Sequence, residues 1–165
     1  MIAITDVHYG EQQATAACVV GDWSAEIAAR EWTTTTSPIA EYQPGEFYKR
    51  ELPCLVDVLA QADLDELEAI VIDGYVWLDG DSREGLGAHL WDALDRLVPI
   101  VGVAKNPFGD CSFATPVKRG DSERPLFVTA AGMSQSAAAA RVEAMHGPYR
   151  VPTLLRRADQ LCRGG

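Results

Sequence analysis

The apolar and polar positions divide the chain into a β-rich first part and an α/β second part. In the first part, short apolar and β-branched runs predict three strands, at residues 2–5, 14–23 and 24–34. The connections between these strands are short, which favours an antiparallel meander. A polar, proline-containing loop follows, and residues 45–63 then show a helical spacing of apolar positions that Pro53 interrupts.

The second part alternates fully apolar strands with helices. Strands are predicted at residues 69–72, 99–104 and 125–129, and helices at residues 84–97, 134–145 and 152–162. Such alternation is typical of a parallel sheet that helices cover on both faces. Three antiparallel strands followed by parallel βαβ units predict an α/β fold with a ribonuclease H-like mixed sheet. A flavodoxin-like sheet, the alternative, would not begin with a three-stranded meander.

The composition is that of one globular domain spanning residues 1–165. The chain has 24 acidic residues against 14 Lys and Arg, a net charge of −10. This charge excludes a protein that coats DNA through many phosphate contacts, but it does not exclude a nuclease. The chain contains no apolar run of about 18 residues and no signal-peptide pattern, so we expect a cytoplasmic protein with no membrane partner. Four widely spaced cysteines are expected to be buried thiols rather than zinc ligands.

Two acidic residues stand at the ends of apolar strands. Asp6 follows the strand at residues 2–5, and Asp73 follows the strand at residues 69–72. If these strands are parallel neighbours, both carboxylates lie at the carboxyl edge of the sheet, where ligands bind in open α/β folds. Two close carboxylates repel unless one is protonated or a hard divalent cation, Mg²⁺ or Mn²⁺, lies between them. The alternative is that each acid caps the turn that follows it.

A third acid, Glu51, interrupts the apolar stripe that includes Leu55, Val58 and Leu59. Either Glu51 lies within this helix, or Pro53 begins the helix and leaves Glu51 just before it. In both arrangements a carboxylate lies near the core, where it needs a cation or hydrogen-bond donors. A salt bridge with a neighbouring arginine is the alternative to a metal.

Collinear segments that cover most of the chain carry a more specific pattern. They are residues 6–9 (DVHY), 42–53 (YQPGEFYKRELP), 71–74 (VIDG), 85–90 (GLGAHL), 99–105 (PIVGVAK), 151–152 (VP) and 157–159 (RAD). In this order they resemble the endonuclease V family. The resemblance implies a ribonuclease H-like fold and a role in DNA repair. It also implies Mg²⁺-dependent cleavage of DNA or RNA near deaminated bases, chiefly inosine, that leaves a 3′-hydroxyl.

The resemblance also assigns roles to residues. Those implied in catalysis are Asp6, Glu51, Asp73, Lys105 and Asp159, of which the first three are the metal ligands. Carboxylates hold metals that activate water, and a lysine offsets charge on the scissile phosphate. The residues that it implies in substrate binding are Tyr42, Pro44 and Gly74. Trp77 is a further substrate-binding candidate that does not come from the resemblance, and its ring either stacks on a base or packs into the core. Tyr42, in a loop that Pro44 stiffens, would part the strands by stacking on an unpaired or flipped base.

The segment after Gly74 departs from the family pattern. Tyr75 and Trp77 stand where the family has small residues, and Asp79 stands where it has a histidine. Either ring, directed into the base pocket, would fill it, which predicts a preference for inosine below about tenfold. The alternative is that both rings turn into the hydrophobic core and the pocket survives. The alternative function is a nucleic-acid-binding module on the same fold, either non-catalytic or of altered specificity. The sequence indicates no oligomeric state.

Overall fold

The structure, a computed structural model, describes residues 1–37, residue 44 and residues 47–165. Within these residues it contains seven strands and four α-helices. The strands are β1 (Ile2–Tyr9), β2 (Ala14–Gly21), β3 (Arg30–Thr36), β4 (Ala69–Asp73), β5 (Ile100–Ala104), β6 (Thr115–Val117) and β7 (Leu126–Ala131). The helices are α1 (Phe47–Leu59), α2 (Leu86–Ala93), α3 (Gln135–Glu143) and α4 (Thr153–Cys162).

All of these strands join one sheet in the order β3-β2-β1-β4-β5-β7-β6. The first three form the predicted antiparallel meander, and β1, β4 and β5 are parallel neighbours. The strands after the meander are all predicted to be parallel, and this prediction is wrong for β7. That strand runs antiparallel to β5 and pairs with β6 on its other side. The fully described stretch between β5 and β7 contains no helix, and a parallel neighbour would need a long crossover.

The sheet separates two apolar cores, and each is covered by two helices. On one face, α3 and α4 pack through residues such as Val142 and Leu154. On the other face, α1 and α2 pack through residues such as Val58 and Leu90. This arrangement confirms the predicted fold class, a mixed sheet with helices on both faces. Among the described helices, none combines the length and apolar character needed to cross a bilayer.

The strand that carries Asp6 is longer than predicted. β1 continues to Tyr9 because β2 pairs with it along its whole length, whereas its parallel pairing with β4 ends where Thr5 lies opposite Ile72. Asp6 is therefore within a strand, although it is the first residue beyond the parallel ladder. Asp6 can therefore lie at the carboxyl edge of the parallel strands while its own backbone stays in a regular strand.

Candidate active site

Two carboxylates lie at the carboxyl edge of the parallel strands. Asp6 and Asp73 directly follow Thr5 and Ile72, the last residues paired between β1 and β4. The half-buried Asp6 carboxylate accepts a hydrogen bond from the Val7 N–H at 2.9 Å, whereas 41% of the Asp73 side chain is exposed. The register of the sheet thus places the two acids on adjacent strands at the same level.

Glu51 joins them from α1. The helix begins at Phe47 and contains both Glu51 and Pro53, so Pro53 lies inside the helix rather than at its start. Leu55 is buried one turn later, which directs this face of the helix towards the sheet. One narrow cleft brings the three acids together, lined by Thr5, Asp6, Val7, Glu51, Leu55, Ile72, Asp73 and Leu86.

Burial and mutual repulsion raise the pKa of two of these carboxyl groups. Desolvation and then the charge of Asp73 raise the pKa of Asp6 to about 6. Desolvation and the charges of Asp73 and Asp6 raise the pKa of Glu51 to about 7, with Arg50 acting in the opposite direction. A divalent cation would replace this repulsion by attraction, so the donor set fits such an ion.

Lys105 and Asp159 border the acids from the end of β5 and from α4. The Lys105 ammonium donates to Asp73 Oδ2 at 3.3 Å. Asp159, Asp6 and Cys162 each offer a ligand atom, and these atoms lie within 4.8 Å of one another. Cys162 comes three residues after Asp159, so one turn of α4 presents both side chains on the same face. That spacing is the signal by which sequence reasoning could have found Cys162.

A cavity of about 380 Å³ adjoins the acids, and Glu51 and Asp73 form part of its wall. This volume falls within the range of small-molecule sites. Its other lining residues are Tyr48, Gly74, Tyr75, Leu78, Arg83, Glu84, Gly85, Leu86 and Phe108. Tyr75 is held in the wall because its hydroxyl donates to the Asn106 carbonyl at 2.6 Å and its ring packs against Phe108. The site therefore combines an acidic cleft with an aromatic-walled cavity.

Trp77 packs into the core, which is one of the two alternatives for this ring. Its indole N–H donates to the Ala130 carbonyl at 2.9 Å, and its ring packs against the core beneath α1 and α2. Asp79 caps the next turn by accepting two backbone N–H groups, at 2.8 and 3.0 Å. These contacts fit the alternative in which Trp77 packs into the core, and the weak preference for inosine stays a prediction. Trp77 belongs to the core, and Tyr75 forms one wall of a cavity that stays open.

Close backbone packing holds the segment after β4 in place. Gly74 has a φ of 132°, which glycine adopts readily. A Cβ atom on Gly102 would lie 2.5 Å from the Gly74 carbonyl oxygen and 2.8 Å from the Thr129 hydroxyl. That hydroxyl accepts the Val76 N–H at 2.8 Å. The glycine at position 102 therefore allows this segment, which carries Asp73 and the cavity wall, to lie directly against β5.

Sequence reasoning missed two residues that shape the site. Tyr48 lines the cavity and stacks on His89, with ring centroids 3.7 Å apart. Arg150 donates to the carbonyl of Lys105 and so holds the end of β5. The three-residue spacing of Tyr48 and Glu51 on one helix is a sequence signal for the first. No local pattern indicates the second, because Arg150 reaches β5 from a distant part of the chain.

Two predicted substrate-binding residues precede α1 in the sequence. Tyr42 lies outside the described residues. Pro44 is an exposed turn residue, and its role in substrate binding stays a prediction. Gly74, by contrast, lies in the cavity wall beside Asp73.

Comparison with known proteins agrees with this geometry. The family model for endonuclease V matches residues 1–130. Endonuclease V of Streptomyces avermitilis is 33% identical over 96% of this chain and 77% of its own length. The crystal structure of that organism's endonuclease V superposes with a TM-score of 0.77 at 26% identity, over 98% of this chain and 79% of the other.

A further solved structure shows the same fold at lower identity. Endonuclease V of Ciona intestinalis, in complex with a 24mer DNA containing an inosine followed by a ribo-adenosine, has a TM-score of 0.79 at 18% identity. The match covers 98% of this chain and 84% of that one. Together, the family match over residues 1–130 and the 33% identity over 96% of the chain place this protein in the endonuclease V family of phosphodiester-cleaving nucleases.

Proposed function

We propose that this protein is a Mg²⁺-dependent endonuclease that cleaves DNA or RNA beside a deaminated, inosine-like or unpaired nucleotide. The observation that carries the proposal is the cleft in which Asp6, Glu51 and Asp73 meet from three separate elements, directly beside a cavity of about 380 Å³. The Ciona intestinalis relative bound to inosine-containing DNA supports the same class of partner.

The acids supply the metal site in this proposal. Asp6, Glu51 and Asp73 would hold the ion, because carboxylate oxygens are the ligands that Mg²⁺ prefers. When bound, such an ion activates water and stabilises the leaving oxygen of a phosphodiester. Asp159 adds a fourth carboxylate near Asp6, which increases the negative charge that the ion offsets.

Other residues of the chain position the substrate. Lys105, which already contacts Asp73, can offset the charge of the scissile phosphate. The cavity beside Glu51 and Asp73 can receive a base that has left its stack. A base in the cavity and a phosphate at the acids are then neighbours, as cleavage beside a modified nucleotide requires. We also propose that residues 1–165 act as one domain, since the described strands form a single sheet and the helices that carry Glu51 and Asp159 pack on it.

The test is cleavage of oligonucleotides that contain one deaminated base, in both DNA and RNA, with Mg²⁺ or Mn²⁺. Asp73→Asn keeps the side-chain shape but removes the charge that holds the metal, so it should abolish cleavage while the fold is retained. Asp92→Asn is the matched control, because Asp92 pairs with Arg96 on the surface of α2 and should leave cleavage unchanged. A wild-type protein that binds these oligonucleotides but cuts none of them, nor abasic or flap substrates, would favour the non-catalytic binding module.

A further inference from the structure

We propose that Tyr48 is the stacking platform for the displaced base, and that His89 and Glu84 fix the orientation of its ring. This inference rests on the proposed function, and it names a specificity-determining residue within the same site. The expected ligand is a planar nucleobase that is no longer stacked in the nucleic acid, and Tyr48 would contact the flat face of its ring.

The position of Tyr48 on α1 places it beside the acidic residues of the site. Tyr48 precedes Glu51 by three residues, so the two side chains lie on the same face of the helix with Cβ atoms about 5–6 Å apart. Both line the cavity of about 380 Å³, together with Asp73. A base that rests on Tyr48 is therefore adjacent to the carboxylates that would act on the neighbouring phosphate. One rigid helix sets the distance between base recognition and cleavage.

The Tyr48 ring is supported on one face by His89. Tyr48 and His89 are stacked, with centroids 3.7 Å apart and planes 15° from parallel. His89 Nδ1 lies 3.5 Å from a carboxylate oxygen of Glu84, which holds the imidazole. Among the described residues, Tyr48 and Glu84 line the cavity and His89 does not. One face of the Tyr48 ring is thus covered by His89, which leaves the opposite face for a ligand.

The remaining walls of the cavity include aromatic rings and a few polar groups. Tyr75 and Phe108 add aromatic surface, and their ring centroids are 6.1 Å apart. Arg83 and Glu84 add hydrogen-bonding groups. An aromatic cavity with a few polar groups suits a nucleobase, since every base has a π-face that stacks on aromatic rings.

The experiment uses an oligonucleotide with one 2-aminopurine, whose fluorescence is quenched by stacking. Binding is measured in the Asp73→Asn background, so that the probe stays intact. We expect Tyr48→Leu to remove the protein-dependent quenching and to weaken binding roughly ten- to hundredfold, the loss typical when a stacking ring is deleted. Tyr48→Phe keeps the ring and should retain both. Tyr149→Ala, at an exposed tyrosine of the loop before α4, is the matched control and should change neither.

His89 acts as a positioning residue, so its test is rescue by a second ring. His89→Ala should weaken quenching, and His89→Phe should restore it. Equal quenching in Tyr48→Leu and in the parent, or loss of quenching in Tyr48→Phe, would overturn the inference. If the protein that retains Asp73 cleaves these oligonucleotides but the quenching does not depend on Tyr48, the stacking inference is wrong and the nuclease proposal stands. If the quenching depends on Tyr48 but no cleavage occurs, the nuclease proposal is wrong and the stacking inference stands.

Discussion

Glu51→Gln should stabilise the metal-free protein at pH 8 while abolishing cleavage. In the wild type, burial and the charges of Asp73 and Asp6 raise the pKa of Glu51 from 4.5 to about 7. Ionising this carboxyl in the folded state therefore costs about 3 kcal/mol, at about 1.4 kcal/mol per pKa unit. Gln keeps the shape of the side chain and removes that cost.

The sign of the effect depends on pH. Between pH 4.5 and 7 the folded protein retains a proton on Glu51 that the unfolded chain has released, so wild-type stability falls as the pH rises through this window. The advantage of Glu51→Gln over the wild type should thus be below about 1 kcal/mol at pH 5 and about 3 kcal/mol at pH 8. A divalent cation should narrow this difference, because it binds more tightly to a protein that retains the Glu51 carboxylate.

Urea denaturation with a chelator present, at pH 5 and pH 8, measures both differences. Glu123→Gln is the control, because its side chain is 93% exposed and the change should stay within about 0.5 kcal/mol at either pH. The reasoning fails if the difference between Glu51→Gln and the wild type is the same at pH 5 and pH 8. It also fails if Mg²⁺ stabilises the variant and the wild type equally.

Three further substitutions test how the site is held. Gly102→Ala should destabilise the protein by about 2–4 kcal/mol in urea denaturation, because its Cβ would meet the Gly74 carbonyl at 2.5 Å; an unchanged midpoint would contradict the close packing. Tyr75→Phe, which removes the hydroxyl bond to Asn106, should cost about 1 kcal/mol and raise the KM for cleavage more than it lowers kcat; an unchanged KM would show that this wall does not contact substrate. Arg119→Met should cost about 3 kcal/mol or more, since that guanidinium donates to five backbone carbonyls before α4; a loss below about 1 kcal/mol would show that these bonds are dispensable.

The sequence by itself determined the frame of the active site. Apolar runs that end in Asp6 and Asp73 located both acids at one sheet edge, because the carboxyl ends of adjacent parallel strands meet there. The helical stripe around Glu51 indicated a third carboxylate close to the core. These predictions depend on the periodicity of apolar residues and on the chain direction of neighbouring strands. The pattern of residues along the chain indicates both.

Only the tertiary structure decided which rings surround the cavity and how the last strands run. Trp77 joins the core because its indole N–H finds the Ala130 carbonyl, 53 residues later, and Tyr48 becomes a cavity wall because His89 on another helix stacks behind it. Likewise, β7 pairs antiparallel with β5 because the intervening chain forms no crossover helix. Periodicity states which face of an element is apolar, but it does not state which distant segment packs there, and contacts between distant segments are what give this site its shape.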